Sequence, residues 1–364
     1  MTFLGQTPRQ WFEFLLLFGI VLITLIWSIP QGGGAQVSGL LLLAAVLSYG
    51  LFFSPHVISQ PAAHSSRTEA FTMVAWSMAL VWGVMPLGPE CKRIAQGLLW
   101  ATAAYILFVS PWRHGDTLED RGLGTLPGFF TYLKQGEYKW LARTVFMGGN
   151  LLLIVGCFAA TNVLQDVVAG ALRRMGGLRI PRELPAWAWL AISLGLYNFL
   201  ICFLMRWDNL SRAGPMILTY LASGILFVVL FGYWYIYLKH SGWVELVPER
   251  GFKRISSYIL WGTLQELLFL SYFNTRIRKG VSSPLLAAVL TATIFSVFHL
   301  RAYTLMIICY LIGIVWALMF QAAPNLMLMG LAHGIGGGFG SAFAVQGMTM
   351  FKINARVGPF HPPG

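Results

Sequence analysis

Apolar runs of roughly 17 to 25 residues, the length that crosses a ~30 Å hydrocarbon core, recur along the whole of this 364-residue chain. A segment in lipid has no water to satisfy its backbone, so a chain with many such runs folds either as helices or as a closed barrel. A barrel needs short strands of alternating character, whereas the runs here are continuously apolar. The expected fold class is therefore all-α, a polytopic integral membrane helical bundle. Composition agrees: hydrophobic residues are 57% and charged residues 10%, against about a quarter charged in a soluble domain.

Pro, Gly and charged residues bound the runs and place about eleven transmembrane helices near 11–29, 37–54, 69–87, 94–111, 144–165, 186–205, 215–238, 255–275, 284–300, 302–320 and 324–345. Trp11, Trp27, Trp100, Trp112, Trp187, Trp207 and Trp234 fall near run ends, where indole rings favour the membrane interface. The first ten residues carry one basic side chain, Arg9, and no small-residue cleavage site follows, so the first run reads as a retained helix. Two connections are long. Residues 112–143 have the makings of an interfacial helix but read as a polar loop, and 239–254 form the other. Lys and Arg divide 12 to 13 between alternate connections, so the positive-inside rule gives no orientation. Three segments follow: 1–250, helices of unknown role; 251–345, a four-helix core; and 346–364, a C-terminal tail. A bacterial inner (plasma) membrane is the expected location.

The net charge of +12 is spread over connections, whereas nucleic acid would require one dense basic stripe. Anionic lipid headgroups are the expected partner. Cys91, Cys157, Cys202 and Cys309 form no C-x-x-C pair and read as packing residues, with neither a disulfide nor a metal framework. Gly32-Gly33-Gly34 and Gly336-Gly337-Gly338 lack the strand-turn-helix context and following Lys of a nucleotide loop, so no cofactor is expected.

Ionisable groups inside a membrane helix are costly and face a bundle interior or a watery cavity. Glu266, in Leu264-Gln265-Glu266-Leu267-Leu268-Phe269-Leu270, lies about 15 Å along its helix from the end near Arg276 at 1.5 Å per residue. On the same scale His299 lies ~21 Å and His333 ~14 Å from that face. Each has a structural reading by itself: a neutral hydrogen-bonded acid, an interfacial His beside Arg301, or a His bridging helices within the glycine-rich stretch 330–340. Together they converge on one depth from three helices, which predicts a shared polar site. Gly330, Gly334 and Gly338, at four-residue steps, predict a packing seam that fixes His333.

Gln265-Glu266-Leu267-Leu268-Phe269, then Phe295-Ser296-Val297-Phe298-His299, then His333 resemble the three-motif pattern of the CPBP (CAAX protease and bacteriocin-processing, or Abi) intramembrane protease family, over about residues 255–340. That pattern is Glu-Glu-x-x-x-Arg, Phe-x-x-x-His and His-x-x-x-Asn. The resemblance implies a peptidase whose first acid activates water for attack on a peptide carbonyl, with the histidines at the site. Here Gln265 stands at the first acid, Leu270 at the Arg and Gly337 at the Asn, and an amide is no base near neutral pH.

Two readings stay open. In one, Glu266 replaces the missing base while His299 and His333 polarise the carbonyl of a membrane-anchored peptide. In the other, the site is degenerate and the fold serves as a scaffold or interaction subunit for a membrane protein partner. Zinc held by Glu266, His299 and His333 would suit a three-ligand site but has no His-Glu-x-x-His spacing behind it. A transporter comes third, since no matching pair of broken segments marks an internal repeat.

Overall fold

The computed structural model describes residues 6–159, 184–240, 258–259, 261–300 and 302–343. In chain order its helices are α1 (Pro8–Gln31), α2 (Gly33–Phe53), α3 (Pro61–Leu87), α4 (Pro89–His114), α5 (Leu126–Gln135), α6 (Lys139–Ala159), α7 (Ala186–Leu204), α8 (Leu210–His240), α9 (261–280), α10 (Pro284–Val297), α11 (Tyr303–Ala322) and α12 (Leu326–Phe343). Among the described residues there is no strand, only an isolated bridge between Val57 and Val281. Among the described residues six helices, α1 to α4, α7 and α11, are long and apolar enough to cross a membrane, and Pro284–Val297 and Leu326–Gly337 are shorter apolar helices. The chain is an all-α polytopic membrane protein.

Each of the eleven expected runs corresponds to an observed helix, with two revisions. The third helix begins at Pro61, eight residues before its apolar run, because the polar side chains of that stretch are satisfied inside the protein. The expected loop 112–143 holds the ends of α4 and α6 and the whole of α5 between them. Residues 160–165, 241–257, 344–345 and the 346–364 tail lie outside the described residues.

Two compact units divide the described chain, and neither is continuous. The first takes residues up to 117 and 268–321, the second 118–267 and 322–343. At the centre of the first is α10, whose residues from Leu285 to Val297 are all buried, as expected of a helix apolar on every face. A Cβ on Gly50 of α2 would lie 2.6 Å from Leu290 Cδ2, so glycine there lets α2 lie directly against α10.

A buried polar network ties α3, α4 and the end of α9 together. Glu69 of α3 accepts hydrogen bonds from Tyr105 Oη (2.8 Å), Tyr272 Oη (3.0 Å) and Ser110 Oγ. His114 Nε2 lies 2.8 Å from the same carboxylate, and Ser66 Oγ 3.2 Å from His114 Nδ1. Arg276, 1% exposed, donates to Ser110 Oγ from Nη2 (2.8 Å) and Nε (3.1 Å), and its Nε is 3.4 Å from Glu69 Oε1. The other edge of the guanidinium meets Asp116 in a two-pronged pair, Nη1 to Oδ1 at 2.9 Å, and Lys279 joins the same carboxylate. Nearby, Arg67 Nη1 donates to the carbonyls of Gly280 (3.0 Å) and Ile58. Its aliphatic stem lies against Gly280, where a Cβ would be 2.1 Å from Arg67 Cγ. A smaller buried cluster joins Glu13 of α1 to Ser54 (2.7 Å) and His56 (3.2 Å).

The second unit packs around Phe129, Ala142, Ile201, Cys202, Met205, Trp207 and Met327. Asn150 of α6 and Asn198 of α7 exchange amide hydrogen bonds of 3.1 and 2.8 Å. The start of α12 is pinned by Leu326 N–H to Gly122 O (2.8 Å) and by Asn325, which donates to Arg206 O (2.8 Å) and Asn209 Oδ1 (3.0 Å) and caps Leu328 N–H (3.3 Å).

Removing one member of a buried charge set strands the others. Arg276→Met should therefore destabilise the protein by about 3–5 kcal/mol, read as a fall in unfolding temperature in one detergent. Burial pushes the Asp116 carboxyl up, but hydrogen bonds from Arg276 and Lys279 outweigh it and hold the pKa below the ordinary carboxylate value. The unfolded chain then binds the proton more readily, so this contribution is present above the unfolded pKa of about 4 and is lost as pH falls through the lowered folded value. Asp116→Asn should remove that acid limb from a plot of unfolding temperature against pH.

Candidate active site

The approach of α9 to α12 is set by missing side chains. A Cβ on Gly330 would meet Thr263 Cα at 2.8 Å, and one on Gly334 would meet Ile259 Cα at 2.4 Å. The backbones therefore touch, and the pairing of 263 with 330 and 259 with 334 makes the helices antiparallel. Gly262 faces His333, whose Cβ would be 2.9 Å from an added Cβ there. Side chains tilt toward the N-terminus of their own helix, so in this antiparallel pair His333 leans along α9 toward the residue one turn after Gly262. That residue is Glu266. Its Oε1 lies 2.6 Å from His333 Nδ1, with the two side chains 1% and 12% exposed.

A bond this short between a carboxyl and an imidazole holds one proton between them, on oxygen or on nitrogen, which is the arrangement of a general acid–base pair. The convergence of Glu266 with a histidine that helix depth predicts is present, and the glycine seam exists at Gly330 and Gly334. The surroundings of Gly338 lie outside the described residues. Gln265 is half-buried next to Glu266, and Leu270 is buried. Gly337 faces the ring of Tyr258, where a Cβ would be 3.2 Å from Cδ1. Directly after Glu266, α9 widens to a π-helical stretch over Leu267–Asn274, a distortion frequent at functional sites.

His299 follows α10 in the first unit. Its Nδ1 is 2.9 Å from Phe295 O, and its ring meets the Phe295 ring edge-on at 5.2 Å. A carbonyl only accepts, so Nδ1 carries the hydrogen in this bond and Nε2 is the acceptor of the neutral ring. The structure brings Glu266 and His333 together; the share of His299 in that site rests on the sequence expectation. Among the described residues no three His, Cys, Asp or Glu side chains assemble as a metal-ligand set. Glu69 and Glu13 lie outside the last four helices, where the sequence places the expected polar site. Each is the one acid in its apolar run, and that was the available signal.

Residues 251–337 match the family model described as Rce1-like, type II CAAX prenyl endopeptidase Rce1-like. This segment is CAAX-protease-like. The match contains Gln265, Glu266, His299 and His333 and bears out the CPBP resemblance, so at family level the chain carries a membrane protease-like core. No curated protein and no solved structure matches the chain.

The seam yields a prediction about the pair it supports. Gly334→Leu would press on the Ile259 backbone, Cα at 2.4 Å and N at 2.6 Å, as well as on its Cγ1 at 2.5 Å, and overpacking of this kind costs about 1–3 kcal/mol. Its unfolding temperature should fall below that of the parent, and Gly334→Ala should fall in the same direction by less.

Proposed function

We propose that the protein is an intramembrane endopeptidase of the glutamic type, acting on a membrane-anchored peptide in a bacterial inner membrane. The single observation that carries this reading is the 2.6 Å contact between Glu266 and His333, an acid and an imidazole sharing a proton away from bulk water. Glu266 takes the proton of the attacking water, and His333 holds the carboxylate in position and receives or returns the proton during the cycle. His299 is retained from the sequence as the group that polarises the carbonyl and stabilises its developing negative charge. The wording of the matched family, a prenyl endopeptidase, supports a lipid-bearing C-terminal peptide as the substrate class.

A second reading is favoured by three positions in the chain itself. Gln265, Leu270 and Gly337 replace the family's first acid, its arginine and its asparagine, as a non-catalytic scaffold that binds a membrane protein partner would allow. The two readings separate on one set of proteins: parent, Glu266→Gln and Gln265→Glu, each assayed for cleavage of lipid-modified peptides and for co-purifying proteins. The peptidase reading expects Glu266→Gln to lose about 10²–10⁴-fold in rate and Gln265→Glu to shift the pH optimum, because adjacent acids titrate as a coupled pair. Cleavage that persists in Glu266→Gln removes the proposed base. A partner lost from either variant, with no cleavage by the parent, supports the scaffold.

A further inference from the structure

Helix α5 lies across the end of a helix pair, at one level. Along its length Phe129 packs on the rings of Phe146 (5.3 Å) and Trp207 (6.1 Å), Tyr132 packs on Trp207 (6.0 Å), and Leu133 O accepts a 2.8 Å bond from Arg143 Nε. The chain entering α5 is held by Gly124 N–H to Phe203 O at 2.7 Å. All these partners belong to the first two turns of α6 and to the last turn of α7 with the residues just after it. Had α5 run alongside α6, its ten residues, about 15 Å, would have met partners spread over a similar rise. Further along α6, Met147, Leu151, Leu152 and Val155 are 69%, 61%, 73% and 54% exposed, an apolar band on the surface. That band starts one turn beyond Arg143, so α5 sits at its polar edge.

The face of α5 turned away from the core is itself divided. Phe129 is 2% exposed while Phe130 is 47% exposed. Leu126, Phe130 and Lys134 follow at four-residue steps on the exposed side, and exposed Lys139, Trp140 and Arg143 continue the surface into α6. Glu137 is the acid within this stretch and is exposed, and Asp208 at the opposite end is paired with Arg206.

We propose that α5 and the first turn of α6 form an in-plane surface that binds anionic phospholipid headgroups. Lys134, Lys139 and Arg143 face the phosphate, and Phe130 and Trp140 enter the acyl boundary. Basic side chains beside exposed aromatics at a membrane edge are complementary to an anionic headgroup above its chains. The surface is independent of whether the protein cuts peptides.

The test uses the full-length purified protein. Titration with phosphatidylglycerol or phosphatidylcholine, followed by native mass spectrometry, should show preferential retention of the anionic lipid. In Lys134→Gln/Lys139→Gln/Arg143→Gln that retention should weaken about tenfold or more, with phosphatidylcholine unchanged. Arg143 also holds Leu133, so Lys134→Gln/Lys139→Gln replaces the triple variant if the latter does not fold. In nanodiscs of chain-brominated phosphatidylglycerol, Trp140→Phe should remove part of the quenched tryptophan emission. Equal retention of the two lipids by the parent, an unchanged preference in the double variant, or identical quenching with and without Trp140 each overturns the proposal.

Discussion

A guanidinium shut away from water is tolerable only where acceptors replace its hydration shell, and Arg276 meets that condition from both edges. Ser110 and Glu69 take one edge and Asp116 the other. The groups come from α3, from α4 and the residue pair after it, and from α9, so none of these can shift without uncovering a charge. Glu69 is met by hydroxyl donors from two helices, α4 and α9. Its polarity goes into fixing helix positions, and α10, which carries no charged residue, packs into the frame that results.

The Glu266–His333 pair belongs to a different kind of polar site. It is aligned by absence: no side chain at Gly262, Gly330 or Gly334 keeps the backbones apart. The hydrogen bond to His333 uses one oxygen of the carboxylate, where Glu69 gathers donors on both. Glu69 also has an imidazole beside it, His114 Nε2 at 2.8 Å, so the two buried acids differ in the number of their partners: three hydroxyls and Arg276 join His114 around Glu69, and His333 meets Glu266.

Much of this was legible in the sequence, because lipid leaves the backbone few options and apolar runs report helices directly. Glu266 and His333 could be matched by depth because both lie in helices, although the π-helical stretch Leu267–Asn274 interrupts the regular rise between Arg276 and Glu266. Two things were hidden for identifiable reasons. The polar opening of α3, from Pro61 to Glu69, looks unlike a membrane helix until Tyr105, His114, Tyr272 and Arg276 are seen to satisfy it, and Tyr272 lies 203 residues from Glu69. Helix α5 has only ten residues, under three turns, too short for a span and too charged around it to stand out from a loop. The pairing of glycines with particular neighbours across α9 and α12 was likewise beyond reach, since spacing along one helix does not say which residue it meets on another.

The discontinuity of the first unit has a consequence for the order of events during synthesis. Helices α1 to α4 leave the ribosome long before the stretch 268–321 exists, so Glu69, Arg67 and Asp116 are made without Arg276, Gly280 or Lys279. Until then the early helices hold polar groups whose lasting partners are still untranslated, and those groups must be met by water, headgroups or the insertion machinery. The polar half of α3 can take up its final burial only once α9 is present. A ribosome stalled between the two stretches would leave Glu69 with Tyr105, Ser110 and His114, but Arg67 without Gly280 and Asp116 without Arg276 and Lys279.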